Sequence, residues 1–319
     1  MAAGDMTEPL VSIIIPAYNS EKYIADTLRS VITQTYANIE VIVVDDASTD
    51  ATLQVVEGMN IKRPISIIKK EKNSGAAASR NMGYKQSEGS LVKFLDADDL
   101  IGPEMIANQV ALVENDSCIV SAQWGRFKIN DISTFKLNPE ECWQTMPSLE
   151  WICSSWKNTQ PMTNPGIFLI PKKLIEKAGL WDENLSLLDD TEYFTRTILC
   201  AEKVIFSSTS TLYYRSGING LSTLNTRKGI ESAYMATEKA ANALINKQDD
   251  DRTRLLCANL WQSFVHWIYP AQDDLITKAE QKIKNYGGSS LKFKSGGYSK
   301  ILQSVVGWRL MKKIKFWYR

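Results

Sequence analysis

Three carboxylates, Asp96, Asp98 and Asp99, close the apolar run that begins Val92-Lys-Phe-Leu. Bounded by Ser87-Glu-Gly-Ser before it and Gly102-Pro103 after it, this run reads as a buried strand with the acids at its C-terminal end. Ligands of open α/β sheets bind beyond such ends, and clustered carboxylates repel one another unless a positive charge lies among them. A hard divalent cation, Mn2+ or Mg2+, held by one or two carboxylates and a substrate's phosphates would supply that charge. Taken alone, Asp-x-Asp is equally well a solvated acidic turn. A second acidic pair, Asp189-Asp190 with Glu192 behind it, precedes a helical pattern at Tyr193, Phe194, Ile198 and Leu199. One acid there is ordinary capping chemistry, and a pair exceeds what a cap requires.

The elements that must position these acids alternate. Val11 to Ile15 reads as a buried strand stopped by Pro16, and Ala17-Tyr18-Asn19-Ser20 as a turn, with Ser20 capping a helix from Glu21 to about Thr33. Glu40 to Val44 is a second strand ending on Asp45 and Asp46, after which Ser48 or Thr49 starts a helix. Ile65 to Lys69 is a third strand, and Asn73 to Gly83 opens a third helix. Strands and helices at this spacing make βαβ units and a parallel sheet. The Gly75 stretch is neither Gly-x-Gly-x-x-Gly nor a P-loop, so its three alanines read as close packing on the sheet. Arg80 is left to reach an anion or to pair with Asp46 or Asp98. Tyr18 with Asn19, Asp46, and the Asp96 to Asp99 cluster then share one rim. A ring to stack a base, a carboxylate to accept its imide N–H and a metal site for a diphosphate describe a nucleotide-diphosphate pocket.

Ser-Ile-Ile-Ile-Pro-Ala-Tyr-Asn, Val-Ile-Val-Val-Asp-Asp-Ala-Ser-Thr-Asp, Asn-Ser-Gly-Ala-Ala-Ala-Ser-Arg-Asn and Phe-Leu-Asp-Ala-Asp-Asp, in this order, resemble the family 2 glycosyltransferases of GT-A fold. The likeness is dense over about the first 110 residues and continues in pieces to about residue 222. It implies an α/β, Rossmann-like, mostly parallel sheet flanked by helices, with a nucleotide-sugar half (about 1–110), an acceptor half (about 111–222) and a helical region from 223 to 319. By the same resemblance Tyr18 stacks on the base, usually uracil, Asp46 accepts its N3–H, Arg80 helps hold the donor and Asp96 sits near the ribose. Pro16, Ala17, Asn19, Asn73, Gly75, Ala97 and Asp98 complete the donor contacts, with Asp98 or Asp99 on the metal. The family's Phe-Asp-Glu-x-Leu followed by Glu-Asp maps onto Trp181-Asp-Glu-Asn-Leu and Asp189-Asp190, which makes Asp190 the general base, with Trp181, Asp189 and Glu192 on the acceptor side. Inverting displacement from a UDP-sugar needs one such base and no covalent intermediate. Arg215, in a glycine-containing loop to Ser222, is expected on the diphosphate. The alternatives are a phosphohydrolase using Phe-Leu-Asp-Ala-Asp-Asp, although here that motif is on the fourth strand and lacks the usual Gly-Thr, and a non-catalytic sugar-binding relative.

The rest of the chain bounds the reading. At 319 residues, 44% apolar and 23% charged, it has enough apolar content for a sizeable core, and five scattered cysteines without Cys-x-x-Cys argue against a disulfide framework or structural zinc. No run of 18 apolar residues occurs and the first residues lack signal-peptide character, so a cytoplasmic protein is expected. Net charge is +1, yet Lys282 to Arg319 carries ten basic residues and no acid, against a balance of −9 before it. Gly307 to Arg319 reads as an amphipathic helix with Leu310, Met311, Ile314, Trp317 and Tyr318 on one side and Arg309, Lys312 and Lys313 on the other. Its stripe lies either on the inner face of the cell membrane, making the protein peripheral there, or on the protein or a second subunit of a homo-oligomer. Basic residues confined to a tail argue against nucleic-acid binding. His266, in an aromatic helical stretch, reads as packing. Ser117 to Pro165 yields a strand near Ile119 to Gln123 and little more, so the sugar, acceptor and linkage stay open.

Overall fold

The computed structural model describes residues 8–59, 64–157, 159, 163–218, 226–294 and 298–317. Its first half is β1 (Val11–Ala17), α1 (Ile24–Ile32), β2 (Ile39–Asp45), α2 (Thr52–Glu57), β3 (Ile65–Lys69), α3 (Ala76–Gln86), β4 (Leu91–Phe94), β5 (Leu100–Ile101) and α4 (Met105–Val110). There follow β6 (Cys118–Lys128), β7 (Asp131–Leu137), β8 (Met146–Pro147), α5 (Ser148–Trp156), a 3-10 turn at Pro165–Ile167, β9 (Ile170–Pro171), α6 (Lys172–Ala178), α7 (Asp189–Cys200) and β10 (Lys203–Ser216). Helices α8 (Arg227–Lys247), α9 (Asp251–Ile268), α10 (Asp273–Asn285) and α11 (Tyr298–Trp317) complete it.

The first sheet has the order β3-β2-β1-β4-β9, parallel except for the β4–β9 pair. A second, mixed sheet runs β5-β10-β6-β7. Both are covered by helices, the α/β arrangement expected. Pro16 lies inside β1 rather than stopping it. Pairing with β4 has already ended at Ile14↔Phe94, so the N–H that proline lacks would have had no strand to meet.

Close packing of α3 rests on one of the three alanines together with two small residues beyond them. Ala77, Ser79 and Gly83 are the buried small residues, and a Cβ on Gly83 would stand 2.5 Å from Ile14 Cγ2 and 3.2 Å from Val44 Cγ2. Gly83→Ala is therefore expected to lower unfolding free energy by about 1–3 kcal/mol through overpacking. Urea titration giving a loss below about 0.5 kcal/mol would count against this packing.

Several local expectations shift. Ser20 does not cap α1 with its side chain, which bonds the Tyr18 carbonyl; its own carbonyl accepts from Tyr23 and Ile24. Helix α2 starts later than Ser48 or Thr49, with Asp50 accepting from the Thr52 N–H. The two closing strands are one bulged strand, β10, paired in parallel with β6. The β6–β7 hairpin and α5 were not legible among the loops of 117–165.

One core cluster joins the sheets to α8 and α9 through Ala240, Ala241, Leu244, Leu256 and Leu260. A second gathers Trp261, Phe264, Leu275 and Ile283. The boundary drawn between 222 and 223 lies outside the described residues, as does the loop from 219 to 222. His266 packs edge-on against Phe293 and Trp308. All five cysteines are free thiols.

Candidate functional site

The C-terminal ends of β1, β2 and β4 open on one rim. After β1, Tyr18 is 48% exposed, and Asn19, at φ 48°, accepts from the Thr49 N–H at 2.8 Å, tying the β1 turn to the loop after β2. After β2, Asp46 is buried and already bonded. Its two oxygens accept from the Ser74 and Gly75 N–H groups at 2.9 and 2.8 Å, and Lys70 Nζ lies at 2.5 Å. Gly75 holds φ +90° with nothing near the Cβ position, so glycine serves backbone conformation there rather than space. Asn73 is exposed beside it.

After β4, the three acids separate by role. Asp99 is buried, with Oδ2 accepting from Asn164 Nδ2 at 2.6 Å and Oδ1 from the Arg215 N–H at 2.9 Å. Burial and the neighbouring Asp98 and Asp96 push its carboxyl well above the usual range. Asp96 and Asp98 are partly exposed, and Asp98 is pushed up to about 6 by burial and then by Asp96. Asp98 makes no ion pair among the described residues. Ala97 is buried between them.

Arg80 joins this turn to the second acidic pair. Its Nη2 donates to Asp96 at 2.8 Å and its Nη1 to Asp189 at 3.0 Å, while the guanidinium lies 4.3 Å from the ring centroid of Trp181. It pairs with neither Asp46 nor Asp98. Trp181, expected on the acceptor side, is 3% exposed and stacks on Tyr193 at 3.9 Å, which makes it the platform beneath Arg80. Glu192, expected there too, is buried in an ion pair with Arg196 at 2.7 Å and braces α7.

Asp190 opens α7, its Oδ1 accepting from the Thr191 N–H at 2.7 Å. Burial, then the adjacent Asp189, pushes its carboxyl up to about 7. Asp189 is raised by burial, with Arg80 opposing. Leu188 just before them holds φ 62°, a conformation costly for a branched residue. Ser232 of α8 fixes the approach, its Oγ accepting from the Ser186 and Leu187 N–H groups at 2.7 and 3.1 Å.

Arg215, expected on the diphosphate, is 2% exposed. Its Nε donates to the Asp98 carbonyl at 2.7 Å and Nη1 to Asn130 Oδ1 at 2.7 Å, so it clamps the acidic turn to the β6–β7 hairpin. Sequence reasoning passed over Lys70, Asn164 and Lys93. Lys93 is wholly buried on β4, and an isolated Lys in an apolar run was the available signal.

The rim thus gathers an exposed ring, a fixed carboxylate, two partly exposed carboxylates at Asp96 and Asp98, and a partly exposed carboxyl of raised pKa. Among the described residues no three His, Cys, Asp or Glu side chains close on one point. A cation here would complete its shell with phosphate oxygens and water.

Residues 12–178 match the family model described as glycosyl transferase family 2. The chain is 27% identical over 214 residues to glycosyltransferase GlyG of Streptococcus pneumoniae, covering 65% of this chain and 70% of that protein. It is 39% identical over 115 residues to the putative teichuronic acid biosynthesis glycosyltransferase TuaG of Bacillus subtilis, covering 36% of this chain and 46% of that one. With the poly(ribitol-phosphate) beta-N-acetylglucosaminyltransferase TarS of Staphylococcus aureus it shares 30% over 239 residues, 71% of this chain and 38% of TarS. The chain thus matches less than half the length of TuaG and of TarS. Crystal structures of S. aureus TarS 1–349 with UDP and with UDP-GlcNAc superpose at TM-scores of 0.63 and 0.62, each at 22% identity. They cover 87% of this chain and 88% and 89% of theirs, a likeness of fold.

Proposed function

Because this chain belongs to glycosyl transferase family 2 and is a glycosyltransferase, we propose that it moves a sugar, with inversion, from a UDP-sugar to a hydroxyl of a glycan or lipid-linked acceptor. The observation that carries this reading is the Asp96–Arg80–Asp189 bridge, which brings the donor-side acids and the candidate base to one rim. TarS, whose structures hold UDP and UDP-GlcNAc, supports uracil as the base.

In this reading Tyr18 stacks on the base, and Pro16, Ala17, Asn19, Asp46, Asn73 and Gly75 shape the pocket around it. Asp46 reaches the imide N–H through lone pairs its present partners leave. Asp98, with Asp96, would hold a divalent cation with the diphosphate. The fit rests on Asp98, a carboxyl raised by burial and by Asp96 and lacking an ion pair among the described residues. Bound there, Mn2+ or Mg2+ neutralises charge on the departing diphosphate. Asp99 braces the turn. Asp190, ionised, takes the proton of the acceptor hydroxyl as it attacks the anomeric carbon. Asp189 and Trp181 hold Arg80 in place.

A thermal-shift panel of nucleotides and UDP-sugars, with and without Mn2+, tests the donor site. The expected result is a Mn2+-dependent rise in Tm with UDP or one UDP-sugar, reduced in Asp98→Asn. A shift with another nucleotide but none with UDP would replace the base assignment; equal shifts in Asp98→Asn would remove Asp98 from the site.

The reading extends to a membrane contact. No described helix is long and apolar enough to cross a membrane. Met311 is buried against the body, Arg309 pairs with Glu280, and Lys312 donates to the His266 carbonyl, so the expected division of α11 into an apolar and a basic side does not hold. The outward stripe is Leu310, Lys313, Ile314 and Trp317, with Trp317 81% exposed. Basic charge beside exposed aromatic and aliphatic groups suits an anionic lipid surface. Sedimentation with phosphatidylglycerol-containing vesicles should show binding absent from pure phosphatidylcholine. Changing Leu310→Ser together with Trp317→Ser should weaken it about tenfold. Absence of vesicle binding, or a dimer lost in the double variant, would assign the stripe to protein contact.

A further inference from the structure

We infer that the turn at residues 163–168 holds the candidate base and the acidic turn after β4 in register, with Thr163, Asn164 and Lys93 as positioning residues; this rests on the reading of Asp190 as base. One end of the turn reaches the start of α7: the Thr163 hydroxyl lies 3.4 Å from Thr191 Oγ1, next to Asp190, whose carboxyl it helps hold down against burial. The next residue reaches the acidic turn, Asn164 Nδ2 donating to Asp99 at 2.6 Å while its Oδ1 accepts from the Gly166 N–H at 2.8 Å. The third point is Lys93, whose Nζ donates to the Gly166 and Phe168 carbonyls at 2.7 and 3.0 Å.

The packing leaves this turn little freedom. A Cβ on Gly166 would stand 2.7 Å from Leu212 Cδ1 and 3.1 Å from Leu95 Cδ1. Gln109 Nε2 donates to the Ile167 carbonyl at 3.0 Å, and Thr163, Asn164, Asp99 and Lys93 are all buried. A lysine at the centre of a core strand costs the desolvation of its charge, and what offsets that cost here is the pair of buried carbonyls it satisfies. Burial lowers the Lys93 ammonium to about 7, and the neutral amine carries two N–H groups for two carbonyls. Lys93 thus pins the turn at Gly166 and Phe168 whether or not it carries its third proton.

The two ends predict separable effects. Thr163 donates to the ionised form of Asp190 and so lowers its pKa against the burial that raises it; the charged groups facing Asp190 are Asp189 and Arg80. In Thr163→Val the Asp190 midpoint should move up by about half a unit or more, read by NMR of 13C-labelled aspartate carboxyls against Asp190→Asn for assignment. In Asn164→Leu that midpoint should stay, while calorimetric affinity for UDP with Mn2+ falls about threefold or more as the acidic turn loosens. Lys93→Met should disturb both, and with a UDP-sugar that is turned over it should cut kcat about tenfold while raising KM about threefold. An Asp190 midpoint unmoved in Thr163→Val, or UDP–Mn2+ affinity unchanged in Asn164→Leu, overturns the proposal. If Lys93→Met does not fold, the isosteric Thr163→Val and Asn164→Leu still decide. Full turnover in Asp190→Asn would instead sink the assignment of the base, leaving the titration and affinity results readable by themselves.

Discussion

Asp190→Asn is expected to lower UDP release from the donor sugar by about 10²–10⁴-fold, the usual contribution of a positioned general base, while the protein folds normally. The side chain keeps its shape and an oxygen to accept the Thr191 N–H, so α7 starts as before. What is lost is the capacity to take a proton. Because the wild-type carboxyl sits at about 7, kcat should rise with pH through about 7 and level off above it, and the residual activity of the variant should lack that limb. The sign of the stability effect follows from the same shift. A carboxyl raised in the folded state holds its proton more tightly there than in the unfolded chain, so stability falls as pH rises from about 4 to about 7. The amide removes that loss, and Asp190→Asn should melt at or above the wild-type temperature at pH 8. Turnover within threefold of wild type, or a variant melting well below it at pH 8, would each contradict the account.

Arg80→Ala is the substitution expected to cost most in stability, about 3 kcal/mol, toward the lower end for breaking a buried ion pair because Asp96 is partly exposed. The loss has three parts. Asp189 is left buried without its cation, Asp96 is left beside Asp98, and Trp181 loses the guanidinium above its ring. Removing the positive charge takes away what opposes the rise of the Asp189 carboxyl, so the penalty belongs to its ionised form. It should be larger at pH 8 than at pH 5, where protonation relieves the repulsion. Urea unfolding at the two pH values measures this directly. Activity should fall with stability, since the bridge is what aligns the acidic turn with the start of α7. A penalty equal at both pH values would mean that Arg80 acts through packing on Trp181 and not through charge.

The tail illustrates where pattern reading misplaces a face. The amphipathic reading put Met311 with Leu310 and Trp317, but α11 bends at Gly307, where φ is 76°, and docks through Met311 with Arg309 and Lys312 beside it. Periodicity says that a helix has a stripe. Which residues of a mixed stripe turn inward depends on the surface offered by α9 and α10.

Local chemistry in the chain determined the alternation of strands and helices, the place of β1, β2 and β4 along it, and the acids and aromatic standing after them. β-branched runs bury themselves whatever lies around them, and turn residues follow them directly, so a window of ten residues carries the signal. Ile65–Lys69 and Lys172–Ala178 with its stop at Gly179 were legible to the residue for that reason. Division of labour among those acids was decided only by the tertiary structure. Arg80 meets Asp189 across 109 positions and Arg215 meets Asp99 across 116, and nothing within either segment states which partner it will find. The Arg80 guanidinium is multivalent and long, so its place follows from which carboxylates the packed sheets leave unpaired, whereas Arg215 reaches Asp99 through its backbone N–H. Trp181 became a platform and Glu192 a brace by the same route, and Lys93 was drawn into the core because the turn beyond it presented two carbonyls in need of donors.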